Sequence, residues 1–302
     1  MIGDKSLEKE KTGRIIKGVG GFYTVLCGDG SSHVCKARGL FRKQGTTPLP
    51  GDRVVFTVDS KGAGYLKEIL PRVNELVRPA VSNVDALLIV VSATEPLPDL
   101  ELADKLLLYC AKQGIRPVLV INKCDGGENG AAREICAQYE KALDDIITVS
   151  AETGFGMDEL QKQLSGQTVC LAGQSAVGKS SLINALLGLE LETGELSAKT
   201  ERGRHTTRHA QLIKTPEGGL VADTPGFSML ESVPLEPEEI PRMYPEFKEY
   251  EGCCRFIGCM HISEPDCAVK QALSEGVIDK ERYARYVKIA NEALEARRHR
   301  YD

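Results

Sequence analysis

At 302 residues the chain has room for two or three domains, and with 42% apolar and 27% charged residues it has the composition of an ordinary globular protein. Its longest apolar run, residues 86–91, is too short for a membrane span, and the polar opening Met1-Ile2-Gly3-Asp4-Lys5 does not resemble a signal peptide. Ten cysteines in such a chain point to reduced thiols in the cytoplasm and, where they cluster, to a metal. The net charge of −5 is uneven: residues 1–72 hold 13 Lys and Arg against 7 Asp and Glu, a surplus of +6 that leaves −11 for the rest. A basic module at one end suits a phosphate-rich partner, although a solvated surface of uneven charge reads the same way.

Residues 13–16, 22–26, 33–37, 54–58 and 65–70 read as five short strands separated by Gly and Asp turns, which predicts a small barrel of the OB-fold type. Between the third and fourth lies Lys36-Ala37-Arg38-Gly39-Leu40-Phe41-Arg42-Lys43, basic with one aromatic. Phe41 can stack on a base or merely cap the barrel.

From about residue 80 strands alternate with helices, the pattern of a doubly wound α/β domain with ligands at the carboxyl ends of its strands. The expected order is strand 86–91, helix 102–110, strand 117–121, helix 131–143, strand 146–149, helix 157–164 and strand 168–171. Asn122-Lys123-Cys124-Asp125 follows the 117–121 strand. Its carboxylate, Asp125, can accept from both N1–H and the exocyclic amine of guanine, a donor pair that adenine lacks. Asn122 can tie this loop to the phosphate loop, and the Lys123 stem can pack on the base. Ser150-Ala151, at the next strand end, fits the backbone loop that finishes a guanine pocket.

Gly173-Gln174-Ser175-Ala176-Val177-Gly178-Lys179-Ser180-Ser181 matches G-x-x-x-x-G-K-[ST] between a buried strand and a helix opening at Ser181. Backbone N–H groups of such a turn wrap a polyphosphate. Lys179 then reaches the β- and γ-phosphates as a catalytic cation, and the Ser180 hydroxyl ligates magnesium. Residues 191–209 are irregular and basic toward their end, a segment in which a hydroxyl can complete magnesium coordination as nucleotide switches do. The strand 219–222 ends in Asp223-Thr224-Pro225-Gly226, placing Asp223 to hold magnesium through water and the Gly226 N–H to contact the γ-phosphate. Phe227 follows where Ras-like enzymes carry a water-orienting glutamine, so His205 is the nearest candidate for that task, or else an RNA contact.

A Pro- and Glu-rich run over residues 234–251 marks a boundary, after which Cys254, Cys259, His261 and Cys267 form C-x4-C-x-H-x5-C. Three thiolates and an imidazole make a closed structural zinc site, with Cys253 an alternative first ligand. A final helix from about residue 279 puts Tyr283, Tyr286, Ile289 and Ala290 on one face and ends in Arg297-Arg298-His299-Arg300, a tip suited to phosphates or simply to a helix C-terminus.

The guanine motif precedes the phosphate loop, the reverse of the Ras order, so the domain is circularly permuted. With G-Q-S-x-V-G-K-S-S, G-R-H-T-T (203–207), D-T-P-G-F and the cysteine–histidine spacing, the chain closely resembles the ribosome small-subunit-dependent GTPases, the RsgA (YjeQ/YloQ) family, over nearly its full length. The resemblance implies three modules: an OB-fold RNA-binding barrel over 1–72, a permuted P-loop GTPase domain over 73–232, and an α-rich zinc-binding domain over 233–302. It implies a cytoplasmic monomer, away from membranes, that hydrolyses GTP to GDP when stimulated by the 30S subunit late in that subunit's maturation, with barrel and zinc module gripping rRNA. It also assigns Thr207, with Thr206 beside it, as the switch threonine on magnesium and His205 as the water-positioning residue. Ala176 departs from the family's frequent glycine, costs little in an αR-like backbone, and lacks the carboxamide that holds potassium in some related enzymes. Two other readings are a nucleotide-regulated RNA-binding module whose hydrolysis is incidental, and an ATP-using kinase, which Asp125 argues against.

Overall fold

The structure, a computed structural model, describes residues 10–37, 41, 45–127, 130–188, 210–223 and 235–301, with the backbone alone at Asp223 and Tyr301. The chain forms two compact units: Met1–Ala86 with Gln161–Cys170 and Ile183–Phe227, and Leu87–Leu160 with Leu171–Leu182 and Ser228–Asp302.

In the first unit, β1 (Glu10–Val19), β2 (Phe22–Leu26), β3 (Ser32–Ala37), β4 (Arg53–Val58) and β5 (Gly64–Ile69) run in the order β1-β2-β3-β5-β4, and pairing of β1 with β4 closes an OB-like barrel. Only β3 and β5 pair in parallel there; the other barrel pairs are antiparallel. Period-two alternation sends Ile15, Val25, Cys35, Val54, Phe56 and Leu66 inward, where they are shut off from water. Phe41 joins this core with 5% of its surface exposed, so it caps the barrel. The flanking residues 38–40 and 42–44 of that basic segment lie outside the described residues.

The same unit contains a short hairpin, β6 (Glu75–Leu76) with β7 (Val81–Ser82), held at the wholly buried Asp52. Asp52 accepts from Arg72 Nε at 2.7 Å, the Ser82 hydroxyl at 2.6 Å and the Leu49 N–H at 2.7 Å, so its buried charge is fully partnered. β11 (Thr168–Ala172) pairs in parallel with β13 (Leu220–Asp223), which pairs antiparallel with β12 (Gln211–Lys214), and β12 meets β1 at Gln211 and Lys17. Periodicity gives no warning of β12, β6 or β7, because two to four residues are too few to show a repeat.

In the second unit, β8 (Ala86–Ser92), β9 (Arg116–Asn122) and β10 (Ile146–Thr148) lie side by side, β9 and β10 in parallel. β8 is buried at every position, which accounts for its unbroken apolar run. Helix α1 (Leu100–Gln113) is capped by Asp99, whose side chain accepts from the Leu102 N–H, and ends at Gly114 in the left-handed region with φ 63°. Helix α2 (Gly130–Tyr139) stops four residues short of the expectation. The Tyr139 carbonyl accepts from both Ala142 and Leu143 N–H groups, which tightens and closes the last turn.

Further along come α3 (Met157–Leu164) and α4 (Lys179–Leu186). The Pro- and Glu-rich boundary forms two 3-10 turns, Pro237–Met243 and Pro245–Tyr250, and is followed by α5 (Ala268–Ser274) and α6 (Lys280–Tyr301). Tyr244, Phe247, Tyr286, Ile289 and Ala290 bury together against Leu108 of α1. The predicted face of α6 is therefore the one that packs. At its tip, Arg297 and Arg300 pair with Glu238 and Glu236. Among the described residues no helix is long and apolar enough to cross a membrane.

Candidate functional site

The phosphate loop starts where β11 ends. Gly173 has φ +141°, and a Cβ there would run into the Val90 carbonyl oxygen. Gly178, at φ +95°, leaves room for the Asn122 side-chain amide. Both glycines are thus required by backbone angle and by close approach. Val177 is buried, Ser175 and Ala176 face solvent, and Ser180 is exposed in the first turn of α4 with Ser181 half-buried beside it. Lys179 folds back over the loop, donating to the carbonyls of Gly173 at 2.7 Å and Gln174 at 2.6 Å. Burial lowers its pKa below the ordinary lysine value.

Ala176 is not αR-like. Its φ is +64°, a left-handed backbone that places the Cβ against its own carbonyl. Ala176→Gly is therefore expected to raise unfolding free energy by roughly 1 kcal/mol. A urea midpoint that moves upward at constant slope is the expected result, and an unchanged midpoint contradicts it.

Gln174 anchors the loop sideways. Its Oε1 accepts from the Asp99 N–H at 2.7 Å and its Nε2 donates to the Leu97 carbonyl at 3.0 Å. The base loop is tied in from the other side. Asn122, 2% exposed at the end of β9, donates to the Val177 carbonyl at 2.9 Å and accepts from the Ala151 N–H at 3.2 Å, linking the three motif loops. Lys123, at φ 66°, extends to the Glu95 carbonyl at 2.5 Å. Cys124 is buried, and its N–H donates to the Val149 carbonyl. That leaves Asp125 exposed, with Oδ1 accepting from the Ser150 hydroxyl at 2.6 Å. One carboxylate oxygen is thereby fixed and the group is aimed. Sequence alone gives Ser150 almost no weight, since a Ser-Ala pair carries its meaning through position.

His205, Thr206, Thr207 and Gly226 lie outside the described residues, as does the side chain of Asp223, whose backbone ends β13 opposite Gln211.

The cysteines converge as the spacing predicts. Ligand atoms of Cys254, Cys259, His261 and Cys267 all lie within 4.8 Å of one another. Tetrahedral ligation at about 2.3 Å for sulfur and about 2.0–2.1 Å for nitrogen separates two sulfurs by about 3.8 Å and sulfur from nitrogen by about 3.6 Å. The observed separations are 3.9 Å between Cys254 and Cys267 Sγ, and 3.5 and 3.3 Å from His261 Nδ1 to those sulfurs. The donor set therefore fits zinc. Cys253 is exposed and turns its thiol toward the carbonyls of Glu249 and Glu251, which leaves Cys254 as the cysteine of the pair that joins the cluster.

Burial pushes the Cys259 thiol up to about 12 and raises the Cys267 thiol above its ordinary value. Glu264 braces the loop. Burial would raise its pKa, but N–H bonds from Met260, Ile262 and Ser263 outweigh that and hold it below the usual carboxylate range.

Known proteins resemble this chain over nearly its full length. A family model described as RsgA GTPase matches residues 69–233, and one described as RsgA N-terminal domain matches residues 12–66. The "Small ribosomal subunit biogenesis GTPase RsgA" of Geobacillus kaustophilus is 46% identical over 96% of this chain and 99% of its own length. The protein of that name from Ruminiclostridium cellulolyticum is 45% identical over 92% of each. Among solved structures, YjeQ from Thermotoga maritima superposes with a TM-score of 0.81 at 37% identity, covering 95% of this chain and 99% of its own. YloQ, a circularly permuted GTPase, gives a TM-score of 0.81 at 36% identity over 97% of this chain and 98% of its own. Nucleotide motifs in permuted order, an OB-like barrel and a zinc-compatible cluster coincide here with relatives that match almost end to end, so this chain belongs to the RsgA GTPase family and is a GTP hydrolase.

Proposed function

We propose that the chain acts as a magnesium-dependent GTPase in maturation of the small ribosomal subunit, with GTP turnover stimulated by that subunit and serving as a late assembly checkpoint. The observation that carries this reading is the three-way tie of Asn122, Val177 and Ala151, which brings an aimed Asp125 and the phosphate loop into one unit. The name that the relatives share, small ribosomal subunit biogenesis GTPase, supplies the biological setting.

In this reading Asp125 selects guanine, and backbone N–H groups from Gly173 to Ser181 cradle the phosphates while Lys179 moves from its loop carbonyls to the β- and γ-oxygens. Magnesium, when bound, neutralises charge that develops between those oxygens. Ser180, Thr207 and Asp223 are its proposed ligands, with Thr206 the alternative to Thr207. The Gly226 N–H meets the γ-phosphate, and His205 orients the attacking water. Residues 1–72 and 233–302, which flank the catalytic part (residues 73–232) in the sequence, contact rRNA, and the protein is a cytoplasmic monomer that carries one zinc ion.

GTP turnover by the purified protein, measured with and without small subunits, tests the proposal. A rise of at least tenfold on adding subunits is expected. An unchanged rate removes the ribosomal part of the reading, while the alternative of incidental hydrolysis predicts subunit binding without stimulation.

A further inference from the structure

Within the unit built from Leu87–Leu160, Leu171–Leu182 and Ser228–Asp302, a buried ionic cluster touches neither the nucleotide motifs nor the metal ligands. Asp104 of α1 is wholly buried, and both its oxygens are taken by α6. Arg282 Nη1 donates to Oδ1 at 2.5 Å and Arg285 Nε to Oδ2 at 2.6 Å, while the Tyr139 hydroxyl also donates to Oδ1 at 2.6 Å. The Arg282 guanidinium lies between the rings of Tyr139 and Tyr244, at 4.8 and 4.9 Å, and its Nε pairs with Glu246. A buried ion cluster adds little stability over apolar residues of the same volume, but it admits a narrow set of geometries. Its consequence is the placement of α1 against α6.

Each helix carries that placement to a site. The capping residue of α1, Asp99, and Leu97 before it are the two partners of the Gln174 side chain in the phosphate loop. On α6, the residues next to Arg282 and Arg285 hold the metal loop: the Tyr283 hydroxyl donates to the His261 carbonyl at 2.6 Å and the Tyr286 hydroxyl to the Met260 carbonyl. The contacts from Gln174 through Asp104 to the carbonyls of Met260 and His261 are continuous. Shifting α1 would draw the 97–99 segment away from Gln174, and shifting α6 would draw the metal loop with it.

We propose that Asp104, with Arg282 and Arg285, is a positioning cluster that fixes the phosphate loop through Gln174 and links nucleotide affinity to the setting of the metal loop. The proposal rests on Gly173 to Ser181 being the nucleotide site.

The test uses the full-length zinc-loaded protein. GDP affinity and thermal midpoint are measured for Asp104→Asn, Gln174→Ala and the double variant, with Glu246→Gln as a control that loosens Arg282 yet leaves Asp104 paired. Each of the first two is expected to weaken GDP about five- to tenfold, and the double variant no more than about tenfold, because both break one connection. Glu246→Gln is expected to lower the midpoint with affinity within about twofold of the parent. In the parent, bound GDP is expected to slow zinc release to a chromogenic chelator severalfold, and in Asp104→Asn that dependence disappears. Multiplying effects in the double variant, an unchanged affinity in Asp104→Asn, or an equal loss in Glu246→Gln would each overturn the proposal. Should Asp104→Asn not fold, Arg285→Lys, which keeps the charge but not the planar fork, carries the same expectations. Lys179→Gln separates the premise: undiminished GDP binding there would show that the nucleotide sits elsewhere.

Discussion

Asp125→Asn is expected to weaken GTP and GDP binding roughly 10²- to 10⁴-fold and to turn the preference toward xanthosine nucleotides. A carboxylate accepting from the N1–H and the exocyclic amine of guanine makes two charge-assisted bonds, each contributing about 1.5–3 kcal/mol. The carboxamide keeps the shape and removes the charge, and it turns an N–H donor toward a donor on the base. Xanthine presents a carbonyl where guanine has its amine, and so accepts from that same N–H. Ser150 sharpens the expectation, because its hydroxyl already occupies Oδ1 of Asp125. Ser150→Ala is therefore expected to cost about fivefold in affinity for every guanine nucleotide with no change in base preference. Competition among GTP, ATP and XTP for a fluorescent guanine nucleotide reads both effects. If GTP remains the preferred ligand of Asp125→Asn, the base loop is not where this reading puts it.

What the sequence makes legible in this site follows a physical rule. Gly173, Gly178 and Lys179 stand at fixed spacing because backbone angles and a phosphate's reach leave few alternatives, so a local pattern exposes them. The barrel strands and the wholly buried β8 are legible for the same reason, since period-two alternation and unbroken burial both write themselves into neighbouring residues. Ala176 is opaque, because an alanine gives no sign that its backbone is left-handed. Cys253 and Cys254 are indistinguishable in a string, and only the direction of each thiol separates them.

The contacts that hold the site in place are harder still. Gln174 reaches Asp99 across 75 positions and Arg282 reaches Asp104 across 178, separations at which local patterns carry nothing. One signal was available. Asp104 sits in the otherwise apolar stripe of α1 among Ala103, Leu107 and Leu108, and a lone carboxylate on a buried helix face requires a cationic partner somewhere.

Cys259→Ser is expected to abolish zinc binding and to loosen the whole segment from residue 235 to 267. A serine hydroxyl at this position is a far weaker zinc ligand than a thiolate, and three remaining donors leave the ion open to water. Metal affinity in such sites is folding free energy, about 10–16 kcal/mol in isolated zinc-finger peptides. Here the loss is smaller, on the order of several kcal/mol, because Tyr244, Phe247 and Tyr286 keep an apolar core of their own. That core is nevertheless coupled to the ligands: Phe247 meets the His261 ring edge-on at 5.7 Å, and the Tyr283 and Tyr286 hydroxyls depend on the carbonyls of His261 and Met260 staying in place. Elemental analysis should therefore find about one zinc per chain in the parent and none in Cys259→Ser, with proteolysis between 235 and 267 at least tenfold faster in the variant. Cys253→Ser supplies the contrast, since its thiol points away from the cluster and is expected to leave zinc content and proteolysis unchanged. Retention of zinc by Cys259→Ser, or its loss from Cys253→Ser, would mean that the ion is held by a different set of four.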